Sequence, residues 1–152
     1  MRPFLLLLSF LLASFVPAQV PKEVKREVLV RDLLRRDKPY KAINQCNAMM
    51  GTPAQARFQA LRADALNRIG EHGKALSDAQ AATRALPGDK EALLQLGIAE
   101  QGVGALDSAI LRFERLYPTD TTAEVRFHLA GAYRLAGRCA EVIEVLGPLS
   151  AS

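Results

Sequence analysis

A small residue returns along this chain at a nearly fixed interval: Ala42, Ala75, Ala109 and Val142 are separated by 33, 34 and 33 residues. Its surroundings return with it, as Tyr40-Lys41-Ala42-Ile43, Gly73-Lys74-Ala75-Leu76, Asp107-Ser108-Ala109-Ile110 and Glu141-Val142-Ile143. Five residues before each stand Asp37, Gly70, Gly104 and Gly137. Glycine at such a place suits a left-handed residue that ends one helix and starts the turn to the next. A period in this range marks stacked supersecondary units, none of which can bury its apolar face alone.

Punctuation in the sequence points to the same boundaries. Thr52-Pro53-Ala54-Gln55 reads as a capping box with Pro at the first helical position. Pro87-Gly88-Asp89 stops one helix and caps the next, and Thr121-Thr122-Ala123-Glu124 reads as a second box after Pro118 has ended a helix. Aromatics make up 6% of the chain and Trp is absent, so the core must come from Leu, Ala, Ile and Val. The register predicts Leu66, Ile69, Leu76, Leu93, Leu96, Phe113, Leu116, Leu129 and Tyr133 as core residues.

From Glu23 to Leu146 the chain resembles the tetratricopeptide-repeat (TPR) family. In that family the first helix of a repeat carries an apolar residue, a small residue next to it, and a Tyr or Leu three places on. Leu96-Gly97 and Leu129-Ala130 with Tyr133 fill those places. The second-helix pattern is matched by Ala75, Ala79 and Ala82, and by Ala109, Phe113 and Leu116; Pro87 closes a repeat. Gln59, Arg62 and Val142 depart from it, standing where the family has Trp, Leu and Ala. The resemblance implies an all-α, right-handed α-solenoid of about four helix-turn-helix repeats over residues 23–146. Approximate repeats are 23–55, 56–89, 90–122 and 123–146, with a tail at 147–152.

In this family the first helices line a concave groove that holds an extended peptide or a partner helix. The resemblance therefore implies apolar anchors at Leu94, Ile98 and Phe127, flanked by Arg57, Arg68 and Arg134. Arg31, Arg35, Asp64, Asn67 and Gln101 fall on the same face. One subset of the family clamps a terminal carboxylate with Lys and an Asn four residues later. The matching places read Glu27/Arg31, Ala60/Asp64, Leu94/Ile98 and Phe127/Gly131, so no repeat carries the clamp.

The first eighteen residues read as a targeting device. Arg2 supplies a minimal positive region, Phe4 to Phe15 is mostly apolar, and Val16-Pro17-Ala18 offers a cleavage site before Gln19. The apolar run of about twelve residues is short of the ~20 that span a bilayer. Residues 1–18 are thus expected to be a cleaved signal peptide. Export to a bacterial periplasm or envelope follows, with no stable membrane span after cleavage.

Chemistry-bearing residues are sparse and scattered. Net charge is +4, but Lys and Arg alternate with Asp and Glu rather than forming the stripe that nucleic-acid binding needs. His72 and His128 lie two repeats apart, too far to share a metal, and Cys46 and Cys139 lie three repeats apart, too far for a disulfide. Gly97, Gly102 and Gly104 lack the Lys and Ser or Thr of a phosphate loop. Gly97 suits a close helix approach, whereas Gly102 has no evident role in the sequence. No catalytic residue, metal ligand or cofactor is expected. The sequence reads as an exported scaffold, not an enzyme, that binds a protein or peptide in its groove. The alternative is the repeat portion of a larger envelope enzyme or assembly factor, suggested because the short last helix breaks at Gly147-Pro148 with no polar-faced capping helix after it.

Overall fold

The computed structural model describes residues 19–147. The expected signal peptide, and the tail beyond Gly147, lie outside them. Eight helices follow one another among the described residues: α1 (Lys22–Arg35), α2 (Pro39–Asn47), α3 (Gln55–Arg68), α4 (His72–Ala85), α5 (Lys90–Gly102), α6 (Leu106–Leu116), α7 (Ala123–Leu135) and α8 (Cys139–Leu146). Each helix packs on its neighbours in sequence, and the odd helices also pack on one another, α1 on α3, α3 on α5 and α5 on α7. The backbones of the even helices do not come close to one another. An array whose odd layer is packed and whose even layer is splayed curves toward the odd layer, which is therefore concave. None of these helices is long and apolar enough to cross a membrane.

The turn inside each pair has one design. Asp37, Gly70, Gly104 and Gly137 all adopt positive φ, at 52°, 79°, 84° and 74°. Around each, two backbone N–H groups return to the last turn of the helix: Asp37 to Leu34 and Lys38 to Leu33, then Gly70 to Asn67 and Glu71 to Leu66. The same pair of bonds recurs at Gly104 and Gly137. This left-handed cap satisfies carbonyls that the helix end would otherwise leave open.

Two of the three expected helix starts are corrected in detail. Asp89 does cap α5, its side chain accepting from the Ala92 N–H at 2.8 Å. At α7 the cap is Thr122 rather than Thr121, accepting from Val125 N–H at 3.4 Å. At α3 the expected box does not form. The Thr52 hydroxyl donates to the Met49 carbonyl, the Gln55 side chain accepts from Gly51 N–H, and α3 begins at Gln55 itself.

Packing explains most of the repeat pattern. Ala42, Ala75 and Ala109 are fully buried, where a larger side chain would hold the helices apart. Leu66, Leu96, Phe113, Leu116, Leu129 and Tyr133 are buried, while Ile69, Leu76 and Leu93 are half-buried. Gly97 admits the Phe113 ring: a Cβ there would lie 2.6 Å from a ring carbon. Arg62, standing where the family has an apolar residue, forks onto the buried Asp78 of α4 at 2.6 and 2.7 Å and onto Asn47 at 2.6 Å. A charged fork thus replaces an apolar contact and ties three helices together.

Candidate functional site

Residues spaced three and four apart on a helix share a face, and the concave wall is built that way. Glu27 and Arg31 come from α1, Arg57, Asp64 and Arg68 from α3, Glu91, Gln95 and Ile98 from α5, and Glu124 and His128 from α7. Two cavities run along this wall. One, of about 440 Å³, is lined by Val28, Arg31, Leu34, Arg35, Asp64, Arg68 and Glu91. The next, of about 270 Å³, is lined by Asp64, Asn67, Arg68, Gln95, Ile98, Glu124 and His128. Asp64 and Arg68 belong to both, so the two form one groove from α1 to α7.

Ion pairs lace the wall. Arg31 bonds Glu27 of its own helix and, at 2.7 Å, Glu91 of α5; Arg57 reaches Glu27 at 3.1 Å. Arg68 holds Asp64 at 2.6 Å. Glu124 makes no ion pair among the described residues. Burial holds its carboxyl above the usual carboxylate range, and the Asp64 carboxylate adds to that against the pull of Arg68.

Hydrogen bonds and ring contacts hold the floor. The Asn67 amide, buried on α3, donates to the Gln95 carbonyl and side chain at 3.1 and 3.0 Å. Its oxygen lies 3.2 Å from His72 Nδ1, and the His72 ring rests over Gly102. His128 stacks on Phe113 with centroids 5.8 Å apart and meets Phe127 edge-on at 5.4 Å. Burial lowers its pKa below the usual histidine value. The described residues hold no cluster of three His, Cys, Asp or Glu able to grip a metal ion.

No family model and no curated protein matches the sequence. Solved structures do match the fold. TTC0263, a thermophilic TPR protein of Thermus thermophilus, is similar at a TM-score of 0.73 and 20% identity, over 83% of this chain and 71% of that one. The Sgt2 TPR domain of Aspergillus fumigatus gives 0.67 and 23%, over 80% and 83%. The second TPR domain of human RPAP3, solved with the HSP70 peptide SGPTIEEVD, gives 0.62 and 20%, over 72% and 93%. The fold is that of a tetratricopeptide-repeat domain.

The TPR register explains where the six expected groove residues fall. Arg68 and Ile98 line the groove, and Arg57 sits in the ion-pair network beside it. Leu94 is a correction: it is buried in the cluster that contains Val125 and Leu129 of α7, so it is an interior residue and not a free anchor. Its equivalents one repeat either way are Ala60, also buried, and Phe127, 70% exposed. In α3 and α5 this position meets the next odd helix; among the described residues α7 has none after it. Phe127 is therefore exposed at the edge of the array and lines neither cavity. Arg134 is likewise exposed and outside both.

Sequence reasoning missed Val28, Glu91, Gln95, Glu124 and His128. The signal for two of them was present, since Arg57, Glu91 and Glu124 repeat at spacings of 34 and 33. Carrying the register of Arg57 forward finds both acids.

Proposed function

We propose that this chain is an exported protein-interaction scaffold that holds an extended segment of a partner in the groove between α1 and α7. The observation that supports this reading is the continuity of the two cavities through Asp64 and Arg68. A groove that crosses four helices presents a row of side chains to a linear ligand rather than one enclosed pocket to a small molecule. RPAP3, which shares the fold, is solved with a peptide bound. Export is supported by Arg2, the apolar run from Phe4 to Phe15 and the Val16-Pro17-Ala18 site.

Two measurements test the reading. Terminal sequencing of the mature protein should begin at Gln19; a chain that retains Met1 would remove the case for export. Partners captured from an envelope extract should be lost with Ile98→Arg, which fills the groove. They should be kept with Leu111→Glu, at an exposed site on α6. Equal capture by both variants would place binding elsewhere.

A further inference from the structure

We propose that the two ends of the array are complementary to one another, so that the chain associates head to tail with further copies of itself. The internal repeat makes each residue comparable with its equivalents one period away. At the first end, Val28 and Leu29 of α1 are 63% and 44% exposed. The equivalents of Val28 are Leu61, Gln95 and His128, of which Leu61 and Gln95 are buried. Those of Leu29 are Arg62, Leu96 and Leu129, and both leucines are buried.

At the other end the pattern is mirrored. Phe127 is 70% exposed where Ala60 and Leu94 are buried, and Ile143 of α8 is 72% exposed where Ile110 is 4% exposed. Ile43 and Leu76, also equivalent to Ile143, pack against a core cluster. Inside the array these positions are covered by the neighbouring repeat. At the ends, no described residue covers them.

The face that α7 and α8 leave open is thus the one that α3 and α4 present to α5, and the face α1 leaves open is the one that α5 turns toward α3. A second copy seating its α1 against α7 and α8 of the first repeats a contact the fold already makes three times between odd helices. Charge is weakly complementary: α1 carries five bases against three acids, whereas α7 and α8 together carry Glu124, Glu141 and Glu144 against Arg126 and Arg134, with Glu141 already paired to Arg138. A weakly basic face meeting a weakly acidic one adds attraction to the match of shapes. Because the two contact faces differ, the contact is heterologous and propagates instead of closing at a dimer.

The test is sedimentation of the chain over a range of concentrations, prepared with and without residues 1–18 so that the apolar leader is controlled for. Mass should rise with concentration past a dimer in both preparations. Leu29→Glu and Ile143→Glu, both at exposed sites outside the groove, should each weaken association by about ten-fold or more. Mixed together, the two variants should form a one-to-one dimer and stop there, because each blocks one end only. A chain that stays monomeric at every concentration overturns the proposal. So does association in which the mixed variants fail to pair, since that would mean like faces meet.

Discussion

Arg31 of α1 and Glu91 of α5, sixty residues apart in sequence, meet at 2.7 Å over the concave face of α3. The backbones of α1 and α5 do not touch, so the contact is made by side chains alone. It straps the first cavity of the groove. Both partners are partly exposed, at 43% and 27%, and water screens such a pair. A double-mutant cycle of Arg31→Ala and Glu91→Ala should give a coupling of about 0.2–1 kcal/mol. The coupling should shrink as salt is raised in the denaturation buffer. A coupling of several kcal/mol, unaffected by salt, would mean the strap is a structural element and not a surface feature of the groove.

Gly97 and Gly102 lie on one helix and answer to different neighbours, and replacing each by Ala should separate them. At Gly97 the added Cβ meets the ring of Phe113, which is fully buried and has nowhere to go. The clash should cost about 1–3 kcal/mol, outweighing the ~1 kcal/mol that Ala adds as a better helix former. At Gly102 the Cβ would come within 2.2 Å of the His72 ring, which is half-buried and can swing outward. The cost there is the hydrogen bond to Asn67, so the change in stability should be small. Chemical denaturation of the two variants decides the matter; equal losses would mean that the His72 ring is as confined as that of Phe113.

How much of this was legible in the sequence depends on whether a residue answers to its own repeat or to the next one. Asp37, Gly70, Gly104 and Gly137 could be read because a left-handed cap is a local demand on the backbone. Ala75 and Ala109 could be read because the close approach they permit lies within a helix pair. Leu94 was misplaced because its exposure is set by α7, more than twenty residues further on, and one turn of α5 carries both groove and interior positions. The role of Gly102 was invisible for the same reason, since His72 reaches it from a different helix pair. Thr52 differs because its hydroxyl, expected to accept from a backbone N–H of α3, donates to the Met49 carbonyl in a local turn, and α3 starts only at Gln55.

The thiols should behave as two unlike groups. Cys46 is fully buried, and burial pushes its thiol up to about 12, far from the thiolate that reacts with disulfide reagents. Cys139 is free and exposed at the start of α8. A colorimetric disulfide reagent near pH 8 should titrate one thiol per chain at once and the second only in denaturant. Two fast thiols would mean that the first repeat opens readily. No reactive thiol in the unreduced, denatured chain would mean that the two are bonded.

Glu100 makes a prediction about pH. It sits on α5 at the repeat position that holds Leu66 in α3 and Tyr133 in α7, and its side chain is 8% exposed. One carboxylate oxygen is 3.5 Å from Arg112, and the other is buried without a hydrogen-bond partner. Burial raises the carboxyl above its ordinary value of 4.5, with Arg112 offsetting part of the effect. A raised value in the fold means that the folded chain keeps a proton that the unfolded chain has released. The resulting stabilisation is full below the ordinary value and is lost as pH climbs from there through the folded value. Glu100→Gln keeps the shape, carries no charge at any pH, and leaves Arg112 free to reach water. Melting curves taken between about pH 4 and pH 8 should then show wild type and variant converging at the acid end, with the variant melting higher near neutrality. If the variant instead melts lower near neutrality, the Arg112 pair outweighs the desolvation of Glu100, and the charged form is the one the fold prefers.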